Sequence, residues 1–167
     1  VMKTQCSAEE YMQRYFKVAK AARAKYPNIR LLGPTPANEW QWFRWGSDGI
    51  LSDGKKYCWL EFFIKRIAEE EKATGIKLLD VLDIHYYPSS SDAAKCVQFH
   101  RVFFDRDYDY PEANGVHTVT GGWDTTINKE YILGRCSDWL NQYLGTDHGV
   151  GLAVTESGLN STNANVQ

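Results

Sequence analysis

The chain has 167 residues, of which 43% are apolar and 24% charged, enough for one globular domain with a sizeable core. Its net charge is −2, with no basic tail or stripe, which excludes the clustered Lys and Arg of a nucleic-acid-binding surface. No apolar run approaches the roughly 18 residues of a membrane span, so neither nucleic acid nor a membrane is expected as a partner.

The first predicted element is a helix. Ser7 followed by Glu10 is a capping-box pattern, and helix formers run from Ala8 to Tyr26 with Tyr11, Tyr15, Val18, Ala19 and Ala22 on one stripe. Pro27 and Asn28 stop it. Ile29 to Gly33 then reads as a short strand, closed by Gly33, Pro34 and Pro36. Residues 35–55 read as a loop holding Trp40, Trp42 and Trp45. A second helix is predicted from about Tyr57 to Thr74, with Gly75 as its C-cap. Leu78 to Tyr87 is the longest strand signal, closed by Pro88 and three serines. A third helix is expected over Asp92 to Phe104, followed by an acidic, aromatic loop from Asp105 to about Asn128. A fourth helix spans roughly Lys129 to Leu144 and ends at Gly145. Val150 to Thr155 reads as a last strand, and the tail from Asn160 is polar.

Strands separated by helices predict an α/β fold with parallel strands and right-handed crossovers. Val81, Leu82 and Ile84, and Leu152, Ala153 and Val154, are near-continuous apolar runs, which predicts cover on both faces of the sheet. Three such strands leave two raw edges, and a complete (β/α)8 barrel takes about 250 residues. The expectation is therefore a single partial TIM-like barrel domain over residues 1–167, an internal piece of a longer barrel. Cys6, Cys58, Cys96 and Cys136 form no Cys-x-x-Cys pair and are expected to be buried free thiols.

In a barrel the chemistry gathers at the C-terminal ends of the strands. Three places qualify. Glu156 ends an apolar strand, and strict alternation would put Val150, Leu152, Val154 and Glu156 on one face. A carboxylate there is costly unless used or paired, so it is either catalytic or a partner in a cap or salt bridge. Asp83, His85 and Tyr87 alternate along another strand end. The pair His85 and Tyr87 suits holding a sugar hydroxyl and orienting a carboxylate, or else forms a satisfied buried pair. Asn38-Glu39 lies beside the Trp trio. Trp40, Trp42 and Trp45 form either a sugar-stacking wall or packing over the rim. The run Asp105, Asp107, Asp109, Glu112 reads as a solvated acidic loop, with a structural calcium as the alternative. It lacks the EF-hand pattern, because its sixth position is Tyr110 and its twelfth Val116.

Several long blocks resemble glycoside hydrolase family 44. They are Leu78-Leu-Asp-Val-Leu-Asp-Ile-His-Tyr-Tyr-Pro88, Gly121-Gly-Trp-Asp124 followed by Glu130-Tyr-Ile, Asp138-Trp-Leu-Asn-Gln-Tyr-Leu-Gly145, and His148-Gly-Val-Gly-Leu-Ala-Val-Thr-Glu156. Members of that family are endo-acting β-glucanases active on carboxymethyl cellulose, xyloglucan and related polymers. Their barrel is joined to a small β-sandwich, and their clan retains anomeric configuration. The resemblance implies that the three strands are the fifth to seventh of the barrel, and that Glu156 is the nucleophile. It places His85 and Tyr87 in the catalytic subsite. Trp40, Trp42 and Trp123 are further substrate-binding candidates by their aromatic faces. The resemblance also places the acid/base Glu upstream of Val1, so Glu39 lies one strand too late for that role.

The activity implied is retaining hydrolysis of a β-1,4-glucan, with no cofactor required and no metal in the catalytic step. The polymer substrate implies a secreted protein, and a monomer is expected. The competing readings are a sugar-binding or structural fragment without turnover, and a metal-dependent hydrolase using His85 and His117. No His spacing here resembles a ligand set, which weighs against the latter.

Overall fold

Helix α1 (Ala8–Lys25) begins where its sequence signals it. Ser7 Oγ accepts the Glu10 amide at 3.1 Å, and the Glu10 carboxylate accepts the Ser7 amide at 2.8 Å. Two of the amides that a helix N-terminus leaves over are thereby satisfied. Ala8, Met12, Phe16 and Ala19 recur at helical spacing and are buried. The computed structural model describes residues 6–46, 49–111, 113, 116–117, 123–124 and 128–158, with side chains omitted at 116–117 and 123–124.

Strand β1 (Leu32–Pro34) is shorter and later than the Ile29–Gly33 expected. The reason lies in Asp80. Its carboxylate accepts the Leu31 amide at 2.8 Å and pairs with Arg23 of α1 at 2.7 Å, so of the Leu31 backbone groups only the carbonyl meets backbone, accepting the Asp80 and Val81 amides. Gly33 is needed for the packing of α1, because a Cβ there would stand 3.2 Å from the Tyr15 ring. Residues 35–55 hold more than a loop. A one-turn helix α2 (Trp40–Phe43) precedes an antiparallel hairpin of β2 (Ile50–Ser52) and β3 (Lys55–Tyr57).

Helix α3 (Trp59–Thr74) buries Trp59, Leu60, Phe62, Phe63, Ile64 and Ile67, and Gly75 closes it at φ +69°, a conformation open to glycine. Strand β4 (Val81–Tyr86) follows. The helix expected over Asp92–Phe104 is broken into α4 (Ala93–Cys96) and a 3₁₀ turn (Phe99–Val102). Phe99 and Val102 are the buried residues of that turn, and their three-residue spacing is the repeat that aligns side chains in a 3₁₀ helix. The short strands β5 (Val116–His117) and β6 (Trp123–Asp124) pair antiparallel. Helix α5 (Ile132–Leu144) starts later than predicted. Tyr131 turns the chain at φ +42°, and the Phe103 carbonyl accepts the Leu133 and Gly134 amides. Strand β7 is Gly151–Ser157.

The principal sheet is parallel in the order β1-β4-β7. Both crossovers step the same way, so right-handed connections place α3 and α5 on one face, and those helices do pack together. Leu82, Ile84 and Tyr86 of β4 are buried in the resulting core. Alternation turns Asp83 and His85 to the opposite face. All four cysteines are free and buried, as expected. Among the described residues no helix is long and apolar enough to cross a membrane.

Candidate active site

The site is assembled at the C-terminal ends of β4 and β7. Tyr87, just beyond β4, donates its hydroxyl to Glu156 Oε2 at 2.9 Å. The Glu156 carboxylate in turn raises the pKa of the Tyr87 phenol, since ionisation would remove the donor and add a second negative charge. His85 Nδ1 lies 3.3 Å from the same oxygen. The other ring nitrogen, Nε2, lies 3.3 Å from Thr155 Oγ1 and 3.5 Å from Asp83 Oδ2. Glu156 therefore contacts both His85 and Tyr87, the other two residues singled out at this end of the sheet, and Asp83 stands behind His85.

Glu156 reaches this face through an irregularity in the ladder. Strict alternation would put it with Leu152 and Val154, both of which pack against the helix-side core. The register is regular up to Ile84↔Val154, but the next pair is His85↔Glu156. Thr155 is thus an extra residue, a β-bulge, and bulges in parallel pairs are uncommon. One extra residue inverts the alternation, and Glu156 emerges beside His85. The expected shared face of Val154 and Glu156 is corrected by this bulge. Its signal in the sequence is Thr155 itself, a hydroxyl within reach of the buried Asp83.

The Trp residues divide. Trp40 is exposed on α2, with the Arg44 guanidinium 5.3 Å from its ring centre. Trp42 is fully buried and so presents no ring face to a sugar, a correction to the stacking wall. Its Nε1 donates to the His85 carbonyl at 3.3 Å, and its ring packs on Tyr86 at 5.5 Å. Trp45 is half-buried against Trp59 and Tyr11, with Nε1 donating to the Cys6 carbonyl. The side chain of Trp123 lies outside the described residues; its backbone pairs with His117. Glu39 is half-buried, and its charge helps to raise the pKa of Glu130.

In the acidic loop, Arg101 binds Asp105 through both Nε and Nη2 at 2.8 Å, and Lys129 binds Asp109 at 3.2 Å. Glu112 lies outside the described residues. Among the described residues no three His, Cys, Asp or Glu side chains are grouped to hold a metal ion.

A profile of glycoside hydrolase family 44 matches residues 1–90. The chain belongs to that family. Its fold is similar to solved structures of family members. Cel44A, a family 44 endoglucanase from Clostridium thermocellum, is 20% identical with a TM-score of 0.68, over 94% of this chain and 32% of that one. A Paenibacillus polymyxa family 44 xyloglucanase is 21% identical with a TM-score of 0.67, over 93% and 31%. CelM2, a bifunctional glucanase-xylanase from a metagenome library, is 18% identical with a TM-score of 0.64, over 92% and 31%. The chain thus spans about a third of the length of these structures. No curated protein sequence matches it. Glu156 lies beyond the segment that the profile matches.

Proposed function

We propose that this chain is the nucleophile-bearing part of a retaining endo-β-1,4-glucanase acting on cellulose-like or xyloglucan-like polymers. The observation that carries the reading is the seating of Glu156. In a family 44 chain, a strand-end carboxylate shares one oxygen between the Tyr87 hydroxyl and the His85 ring. The β1-β4-β7 sheet is read as the fifth to seventh strands of a partial (β/α)8 barrel, within one domain over residues 1–167.

In this reading Glu156 Oε attacks the anomeric carbon as the glycosidic bond breaks, giving a covalent glycosyl-enzyme. A second carboxyl about 5–5.5 Å away protonates the leaving oxygen and then activates water. That acid/base is read as lying on the strand before α1, upstream of residue 1. Tyr87 and His85 fix the carboxylate in its attacking position. Trp40 offers an exposed ring for a sugar. The chemistry calls on no metal or organic cofactor; the one addition the reading admits is a structural calcium at the acidic run Asp105 to Glu112. A polymer substrate goes with a secreted, monomeric enzyme.

The test uses 2,4-dinitrophenyl β-cellobioside with the full-length protein. Glu156→Ala should abolish release of dinitrophenolate, and azide should restore it with inverted anomeric configuration in the glycosyl azide formed. Wild-type turnover by Glu156→Ala would sink the assignment.

A further inference from the structure

The bulge at Thr155 leaves its backbone amide out of the ladder, and that donor must find another acceptor. Asp83 takes it. Its Oδ1 accepts the Thr155 amide at 2.9 Å, and its Oδ2 accepts the Thr155 hydroxyl at 2.7 Å. Asp83 is fully buried, on the central strand, two residues before His85. Oδ2 also lies 3.5 Å from His85 Nε2. One carboxylate therefore faces both the bulged residue next to Glu156 and the ring that contacts Glu156.

We infer that Asp83 is a positioning residue of the site, whose carboxylate holds the Thr155 bulge and so turns Glu156 to the face of His85 and Tyr87. Without the bulge, Thr155 would pair with His85, and Glu156 would pair with Tyr86 and point toward the helix side. The regular ladder is the ordinary state of two parallel strands. It would satisfy the Thr155 amide without any side chain, so something must favour the bulge. A carboxylate does so because both its oxygens accept. An Asn amide has one acceptor, so it can keep the Thr155 amide bond but holds the hydroxyl only if that bond reverses, with Thr155 Oγ1 turned to accept from the N–H₂. A Val at 155 removes the hydroxyl and keeps the shape.

This inference rests on Glu156 being the nucleophile, and the experiment separates the two. Asp83→Asn, Thr155→Val, Thr155→Ser and Glu156→Ala are compared in the full-length protein. Turnover of dinitrophenyl β-cellobioside is measured, together with the Tyr87–Glu156 distance in crystals. Asp83→Asn should lower kcat about 100-fold with little change in KM, as expected when a reacting group is displaced by about 1 Å. Its crystals should show the Tyr87–Glu156 bond lost. Thr155→Val should lower kcat in the same direction and Thr155→Ser should restore it, which also decides the matter if Asp83→Asn does not fold. Wild-type kcat and an intact Tyr87–Glu156 bond in both Asp83→Asn and Thr155→Val, with Glu156→Ala inactive, would overturn the clamp alone. An active Glu156→Ala would overturn the reading beneath it.

Discussion

Tyr87 and His85 converge on a single oxygen of Glu156, at 2.9 Å and 3.3 Å. Among the described residues, neither of these two bonds the other oxygen of the carboxylate. A nucleophile held this way is restrained in rotation while keeping one oxygen for attack. Tyr87→Phe removes the shorter contact without changing ring shape. Under the proposed mechanism kcat should fall about 10- to 100-fold, the usual worth of a hydrogen bond to a charged group. Because Tyr87 is exposed, the melting temperature should hardly move. Unchanged kcat on dinitrophenyl β-cellobioside would show that the phenol does not serve the nucleophile.

Trp40 and Trp42 are two residues apart and should behave oppositely. Trp42→Ala opens a cavity beside Tyr86 and removes the donor to the His85 carbonyl, so stability should fall by about 3–5 kcal/mol. Trp40→Ala should leave urea unfolding nearly unchanged and raise KM for xyloglucan severalfold. Equal destabilisation by both would contradict their different burial.

The course of the chain was largely legible where local signals are strong. The Ser7–Glu10 box started α1 at Ala8, and Gly75 ended α3, because both depend on neighbouring residues alone. The signals failed where a distant group decides. Asp80 capturing the Leu31 amide delayed β1, and the Phe103 carbonyl delayed α5. The site was legible in its members but not in its geometry. His85, Tyr87 and Glu156 stood out as strand-end residues, whereas the bulge that joins them depends on Asp83, some seventy residues from Thr155 in sequence. Trp42 was misread because period and composition do not separate a rim aromatic from a core one.

Gly134 is fixed by a ring. A Cβ there would fall 1.9 Å from Tyr131 Cζ, well inside any allowed contact. Gly134→Ala should therefore destabilise despite the better helix propensity of Ala, by about 1–3 kcal/mol, as overpacking does. Adding Tyr131→Ala should recover much of that loss, giving clear non-additivity in a double-mutant cycle. Additive losses would mean that the helix start, rather than the ring, sets the requirement.

Glu130 gives the chain a built-in pH dependence. Its side chain is almost wholly buried, and Oε2 has no hydrogen-bond partner among the described residues. Burial is the largest cause raising its pKa, to about 8 from an ordinary value of 4.5; the nearby charge of Glu39 adds to it, and Arg135 opposes it. The folded chain thus keeps a proton that the unfolded chain gives up. Below pH 4.5 both states hold the proton and the group costs nothing. As pH rises from 4.5 toward 8, the unfolded state is favoured progressively, and above about 8 the loss is complete. Glu130→Gln removes the titration while keeping the size of the side chain. Its melting temperature should match wild type near pH 4.5 and exceed it by a margin that grows up to pH 8. That margin should correspond to a few kcal/mol, on the order of 4. A margin that stays flat across this range would show that Glu130 is already ionised in the fold, its charge matched by Arg135.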